Sequence, residues 1–162
     1  MVPPKLRKPL TRTGHTLLAD EHDQLARQER PKVLIGIQNA AAEGDRSENA
    51  EYIYGRKRLR ELDKRIRYLN HLLTDAQIID ISLLKGDSIC FGSTVHVQDE
   101  NGKKHSWMIV GEGEADYKQN KISWKSPVAK AFMGKKKGDF VYVERPAGGL
   151  EFEIISIQFL DR

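Results

Sequence analysis

The chain has 162 residues, of which 31% are charged, 39% hydrophobic and 7% aromatic, enough for one or two small domains and too little for a large enzyme core. A mean hydropathy of −0.57 and the lack of any apolar run near the ~20 residues of a bilayer-spanning helix exclude a transmembrane segment. Met1-Val2-Pro3-Pro4-Lys5 carries no apolar core of a signal peptide, so the expected location is the cytoplasm. A single cysteine, Cys90, allows neither an internal disulfide nor a cysteine metal cluster and leaves stability to packing. The net charge of +4 is unevenly spread: residues 1–78 hold 15 Lys and Arg against 11 Asp and Glu, and residues 79–162 hold 12 of each. Seven basic residues fall between Arg56 and Arg67, a concentration that points to a polyanionic partner.

In chain order, Met1 to Pro9 reads as a disordered, basic, proline-bearing lead-in. From about Thr13 to Glu43 the pattern is helical, with Leu18 and Leu25 and then Leu34, Ile37, Ala41 and Gly44, and Pro31 predicts a kink or phase shift between the two sets. Leu59, Leu62, Ile66, Leu69, Leu73 and Ala76 follow with gaps of three and four, the apolar seam of a coiled coil. Extended backwards, this register reaches Gly55, Tyr52 and Glu48, which predicts a helix from about Ser47 to Asp75, roughly 40 Å long. Ser47 is a suitable N-cap, and Glu48 and Glu51 suit the positive end of the helix dipole. With only Gly44-Asp45-Arg46 between them the two helices must run antiparallel, Ala40 and Ala41 facing Tyr52. Such a hairpin is longer than a small core requires, and it is expected to project as an arm over residues 10–78.

After Asp80 the pattern changes to short strands at Thr94 to Val97, Ser106 to Val110, Ile122 to Trp124, Phe140 to Val143 and Leu150 to Phe159, with turn signals between them. A short helix is expected from Pro127 to Met133, with Pro127 in its first turn and Gly134 ending it. Residues 79–162 therefore read as a small β-rich domain, and the fold class as α+β.

The sequence has no glycine-rich phosphate loop, HExxH, CxxC or nucleophile elbow, and its five histidines share no metal-ligand spacing. Two features remain. Asp45 and Glu48 lie at the hairpin tip, where acids also serve as ordinary caps. Two carboxylates make only part of a magnesium site, so a partner holding metal and phosphodiester would have to supply the rest. Behind the tip Arg56, Lys57, Arg60, Lys64 and Arg67 form a stripe. It reads either as a solvated coiled-coil face paired locally with Glu61 and Asp63, or as a track for RNA or DNA phosphates. Aromatic side chains are too sparse there for base stacking.

The run Glu43-Gly44-Asp45-Arg46-Ser47-Glu48-Asn49-Ala50-Glu51-Tyr52, continued by Arg56-Lys57-Arg58-Leu59-Arg60-Glu61-Leu62-Asp63-Lys64-Arg65-Ile66-Arg67-Tyr68-Leu69, closely resembles the bacterial Gre transcript cleavage factors. The likeness extends from Leu10-Thr11 through Ile109-Val110-Gly111, Ser126-Pro127-Val128-Ala129-Lys130-Ala131 and Gly138-Asp139 to Pro146-Ala147-Gly148-Gly149, and the basic stretch after the tip is similar to the GreB branch. The lead-in is longer than the family pattern, and His15 stands where an aromatic residue is common.

The resemblance implies an N-terminal antiparallel coiled coil and an FKBP-like C-terminal domain, a monomer that is not itself an enzyme. It implies that the C-terminal domain docks on RNA polymerase, with Ser126 and Pro127 in a docking loop, while the coiled coil passes down the secondary channel. Asp45 and Glu48 would then share the polymerase's second Mg2+ and orient the attacking water, Ser47 and Asn49 would support them, and the stripe would hold the extruded RNA 3′ end. Three other functions stay open: a channel-occupying regulator that competes with other factors without stimulating cleavage, a prolyl isomerase, and a free nucleic-acid binder. The isomerase reading is disfavoured by Trp107 and Trp124, which read as packing residues.

Overall fold

The structure is a computed structural model and describes residues 5–44 and 49–160. The chain divides into two compact units, residues 16–74 and a second formed by residues 1–15 with 75–162.

The helical unit is built from α1 (Arg12–Gln24), a π-helical segment (Leu25–Glu29), α2 (Arg30–Ala42) and α3 (Ala50–Leu73). Pro31 sits in the first turn of α2. Lacking an N–H, it cannot continue the ladder from α1, and the wider π turn just before it absorbs the mismatch. This is the phase shift anticipated at Pro31. Contacts between α2 and α3 pair Ala40 with Asn49, Ile37 with Gly55 and Arg30 with Asp63, so the two helices run antiparallel. The seam is closed by Leu62, Leu69 and Leu72 of α3, with Leu18, Ile37 and Ala40 from the other strand of the hairpin. Each buried leucine contributes about 1.5–3 kcal/mol.

Two boundaries differ from the sequence expectation. The cap of α3 is Asn49, whose side chain accepts from Tyr52 N. Ser47, the expected cap, lies outside the described residues. At the other end Thr74 N and Oγ1 both donate to Asn70 O. Asp75 takes a left-handed φ of 58°, so α3 stops at Leu73.

The second unit begins earlier than expected. β1 (Pro9–Thr11) pairs in parallel with β2 (Gln77–Ile79), and Lys8 O accepts from Gln77 N. Leu10 and Thr11, expected at the start of the hairpin, thus lie in a two-stranded sheet, and Pro9, expected in a disordered lead-in, is its first residue. The main sheet has five strands in the order β5 (Lys121–Ser123), β4 (Lys104–Val110), β3 (Thr94–Asp99), β7 (Leu150–Gln158), β6 (Phe140–Val143). Neighbours are antiparallel except β4 with β5. One face carries the core of Ile89, Val95, Val97, Ile109, Val141, Val143, Phe152 and Ile154, covered by Ala129 and Phe132 of α4 (Pro127–Phe132). At one end of the opposite face Met108 and Val110 are covered by Ile81, Leu84 and Phe159. No helix among the described residues is long and apolar enough to cross a membrane.

Candidate functional site

Asn49 fixes the base of the hairpin turn. Its Nδ2 donates to Ala40 O at 2.7 Å while its Oδ1 accepts from Tyr52 N at 3.1 Å, and its own carbonyl accepts from Ile53 N. One side chain therefore caps α3 and ties it to the last turn of α2, whose Ala40 is 2% exposed. Only an amide or a similar two-way group can donate and accept in this manner. Asp45, Ser47 and Glu48 lie outside the described residues, in the connection that Asn49 closes.

Close approach of the helices below the turn depends on Gly55. A Cβ there would stand 2.8 Å from Ile37 Cγ1, inside van der Waals contact. The sequence register placed Gly55 on the seam, where the need for its missing side chain went unread. The signal was present: a glycine at a seam position of an otherwise strong helix is costly unless something occupies its space.

The basic run of α3 sorts into two groups. Arg65 makes a bidentate pair with Glu21, Nε to Oε1 at 2.7 Å and Nη2 to Oε2 at 3.0 Å, and its guanidinium lies 5.5 Å from the Tyr68 ring centre. Arg58 pairs with Glu61 at 3.8 Å, and Asp63 is taken by Arg30 of α2 at 2.8 Å. Arg56, Lys57, Arg60, Lys64 and Arg67 are exposed and make no ion pair among the described residues. At 3.6 residues per turn these five occupy an arc of about 100°. The carboxylates that could have neutralised the stripe, Glu61 and Asp63, are engaged elsewhere, so it presents uncompensated positive charge along one helix face. Ile53, half exposed, continues the same spacing towards the turn. The sequence reading missed it because an isolated apolar residue outside the seam carries no periodic signal.

In the β-rich unit Ser126 is the N-cap of α4, Oγ accepting from Ala129 N at 3.2 Å, and Pro127 follows it, exposed. Trp107 packs against Phe132, Phe152 and His105. Both tryptophans pack against the core of the sheet, as the sequence implied. Among the described residues no three His, Cys, Asp or Glu side chains converge on a metal position.

Residues 8–78 match the family described as transcription elongation factor, N-terminal, and residues 84–159 match transcription elongation factor, GreA/GreB, C-term. Among curated relatives, the chain is 46% identical over 152 residues to transcription elongation factor GreA of Nitrobacter winogradskyi, covering 93% of this chain and 96% of that one. It is 42% identical over 156 residues to GreA of Anaeromyxobacter sp., with 96% and 94% covered. To transcription elongation factor GreB of Neisseria meningitidis serogroup B it is 41% identical over 152 residues, covering 93% of each chain. Both GreA and GreB are thus represented, with GreA slightly ahead. The chain belongs to the Gre family of transcription elongation factors, which act on RNA polymerase and stimulate its own transcript cleavage without being enzymes themselves.

Proposed function

We propose that this protein enters the secondary channel of a backtracked RNA polymerase with its helical hairpin and brings Asp45 and Glu48 to the active centre, where the extruded RNA 3′ segment is hydrolysed. The observation that supports this most is the stripe of five exposed cations on α3 that make no ion pair among the described residues. It runs along the helix that leads from a turn carrying two acids in sequence, a turn whose base Asn49 locks.

Asp45 and Glu48 would hold a Mg2+ ion together with groups supplied by the polymerase, as carboxylates are hard oxygen donors of the kind that ion takes. When bound, such an ion would supply Lewis-acid chemistry at the phosphodiester. Asp45 and Glu48 contribute negative charge and acceptor oxygens that orient the attacking water, with Ser47 and Asn49 holding the turn. Arg56, Lys57, Arg60, Lys64 and Arg67 bind the phosphates of the extruded strand, which keeps the RNA in the channel long enough for attack. The uncompensated stripe is the feature that favours a GreB-like use of the arm. Ser126 and Pro127 form a docking point on the polymerase, Pro127 as an exposed contact and Ser126 as the cap that holds it in place.

Addition of wild-type protein to backtracked polymerase complexes tests this reading. Release of short RNA followed by resumed elongation supports it. Slowed elongation with no RNA released would instead identify a regulator that occupies the channel without stimulating cleavage.

A further inference from the structure

The face of the five-stranded sheet turned away from α4 is only partly covered. Val141, Val143, Phe152 and Ile154 point into the core shared with Ala129 and Phe132. The alternate residues of β6 and β7, Phe140, Tyr142, Glu151 and Glu153, therefore project from the other side. Phe140 is 63% and Tyr142 61% exposed. In register, Phe140 stands opposite Glu153 and Tyr142 opposite Glu151, so each aromatic ring has a carboxylate beside it.

A depression of about 300 Å³ opens between these strands, lined by Gln98, Asp99, Glu100, Gly102, Phe140, Glu151 and Glu153. Its lining includes Glu100, Glu151 and Glu153 and no cation, while Asp99, in register with the core residue Phe152, turns its carboxylate to His105 on the other face. Asp99 is already committed, accepting from Asn101 N, Lys103 N and His105 Nε2. Glu100, Glu151 and Glu153 make no ion pair among the described residues. Lys104 lies on the same side of the sheet but across Gln98 from Glu153. Beside the depression, β6 is the last strand of the sheet and pairs only with β7 among the described residues.

We infer that this face is a second docking surface, on the side of the sheet opposite Ser126 and Pro127, for an extended Lys- or Arg-bearing segment of a partner protein. The segment adds a strand to β6 through main-chain hydrogen bonds. Its basic side chains lie over Phe140 and Tyr142, whose ring faces attract cations, and reach Glu151, Glu153 and Glu100. Complementary charge selects the occupant: an acidic or purely apolar strand would leave three carboxylates facing like charge or buried without a partner. The inference stands on the sheet alone and does not depend on the role of the hairpin tip.

The test is titration of the full chain with a synthetic peptide alternating valine and lysine, followed by amide chemical shifts and by affinity at several salt concentrations. Shifts concentrated at Phe140 and Tyr142, whose main-chain groups face away from β7, are expected, with affinity falling as salt rises. Tyr142→Ala is expected to weaken binding about tenfold, the scale of one desolvated cation–π contact, and Glu151→Gln with Glu153→Gln to remove most of the salt dependence. Both variants should keep the wild-type melting temperature within a few degrees, because the altered side chains are on the open face. Asp45→Ala with Glu48→Ala is expected to leave peptide binding unchanged, showing that the tip acids are not the site. Equal binding of a valine–glutamate peptide, unchanged affinity in the Glu151 and Glu153 variant, or shifts that appear only on self-association of the chain would overturn the inference.

Discussion

Asn49 illustrates how much one side chain can contribute when both of its polar atoms are used. Replacing it with alanine removes a helix cap, worth about 1 kcal/mol, and orphans the Ala40 carbonyl. Asn49→Ala is therefore expected to lower unfolding stability by about 1–2 kcal/mol in urea titrations. Asn49→Asp, which still accepts from Tyr52 N but cannot donate to Ala40 O, should fall between the two.

Asp99 plays a comparable part in the β-rich unit. The His105 side chain, together with the Lys103 and Asn101 amides, holds its carboxyl below the usual aspartate range. The folded state therefore favours the ionised form. The associated stability is present above about pH 4, the ordinary aspartate value, and is lost as pH falls through the lower folded-state value. Stability measured from pH 5 downwards should decline more steeply in wild type than in Asp99→Asn. Equal slopes would show that the carboxylate is not stabilised by these donors.

At the scale of elements, the two mid-helix glycines of the hairpin make opposite predictions from the same residue type. Nothing lies within 4 Å of a Cβ placed on Gly36, whereas one placed on Gly55 meets Ile37 at 2.8 Å. Gly36→Ala should gain up to about 1 kcal/mol from helix propensity alone. Gly55→Ala should lose stability on balance, since overpacking costs about 1–3 kcal/mol; thermal melts of the two variants side by side decide the point. The stripe is likewise a property of α3 as a whole. With five cations making no ion pair among the described residues, RNA affinity should depend steeply on salt, and each Lys or Arg replaced by alanine should reduce the log–log salt slope by about 0.7, the value for a single strand. Arg65→Ala, whose charge is already taken by Glu21, should change that slope little.

How legible each element was in the sequence follows from its length and the range of its contacts. Phe140 to Val143 and the helix opening at Pro127 were placed with little error, because each combines a local pattern with a strong turn or cap signal. The seam from Tyr52 to Leu73 was read from spacing alone, since three-and-four periodicity over many turns has no other stable use. By contrast β1 and β2 are three residues each, too short for alternation to show, and their parallel pairing joins segments separated by the whole hairpin. The π segment was foreseen only as a consequence of Pro31. The cap of α3 was misplaced because Ser47 and Asn49 are both good capping residues, and only the reach of Asn49 to Ala40 decides between them.

At the scale of the whole molecule, the modest net charge conceals a division of labour. The sheet unit, residues 1–15 with 75–162, carries 16 basic and 13 acidic residues, with acids gathered on one open face, while the hairpin, nearly balanced at 11 basic and 10 acidic, gathers bases into a stripe whose neighbouring acids Glu61 and Asp63 are engaged elsewhere. Of the candidate site, the exposed cations of α3 were legible in the sequence from their spacing, while Asp45 and Glu48 lie outside the described residues. Which cations are free could not be read there, because the competitors for Glu61 and Asp63 include Arg30, remote in sequence and adjacent only once α2 and α3 have packed. The central claim is that the tip carboxylates complete the polymerase's hydrolytic site. It is tested most directly by transcript cleavage in a backtracked polymerase complex with wild-type protein and with Asp45→Ala combined with Glu48→Ala. The double variant is expected still to bind the polymerase but to stimulate RNA release roughly a hundredfold less or worse, the scale of losing several kcal/mol of transition-state stabilisation; undiminished cleavage by that variant would contradict a role for the tip acids.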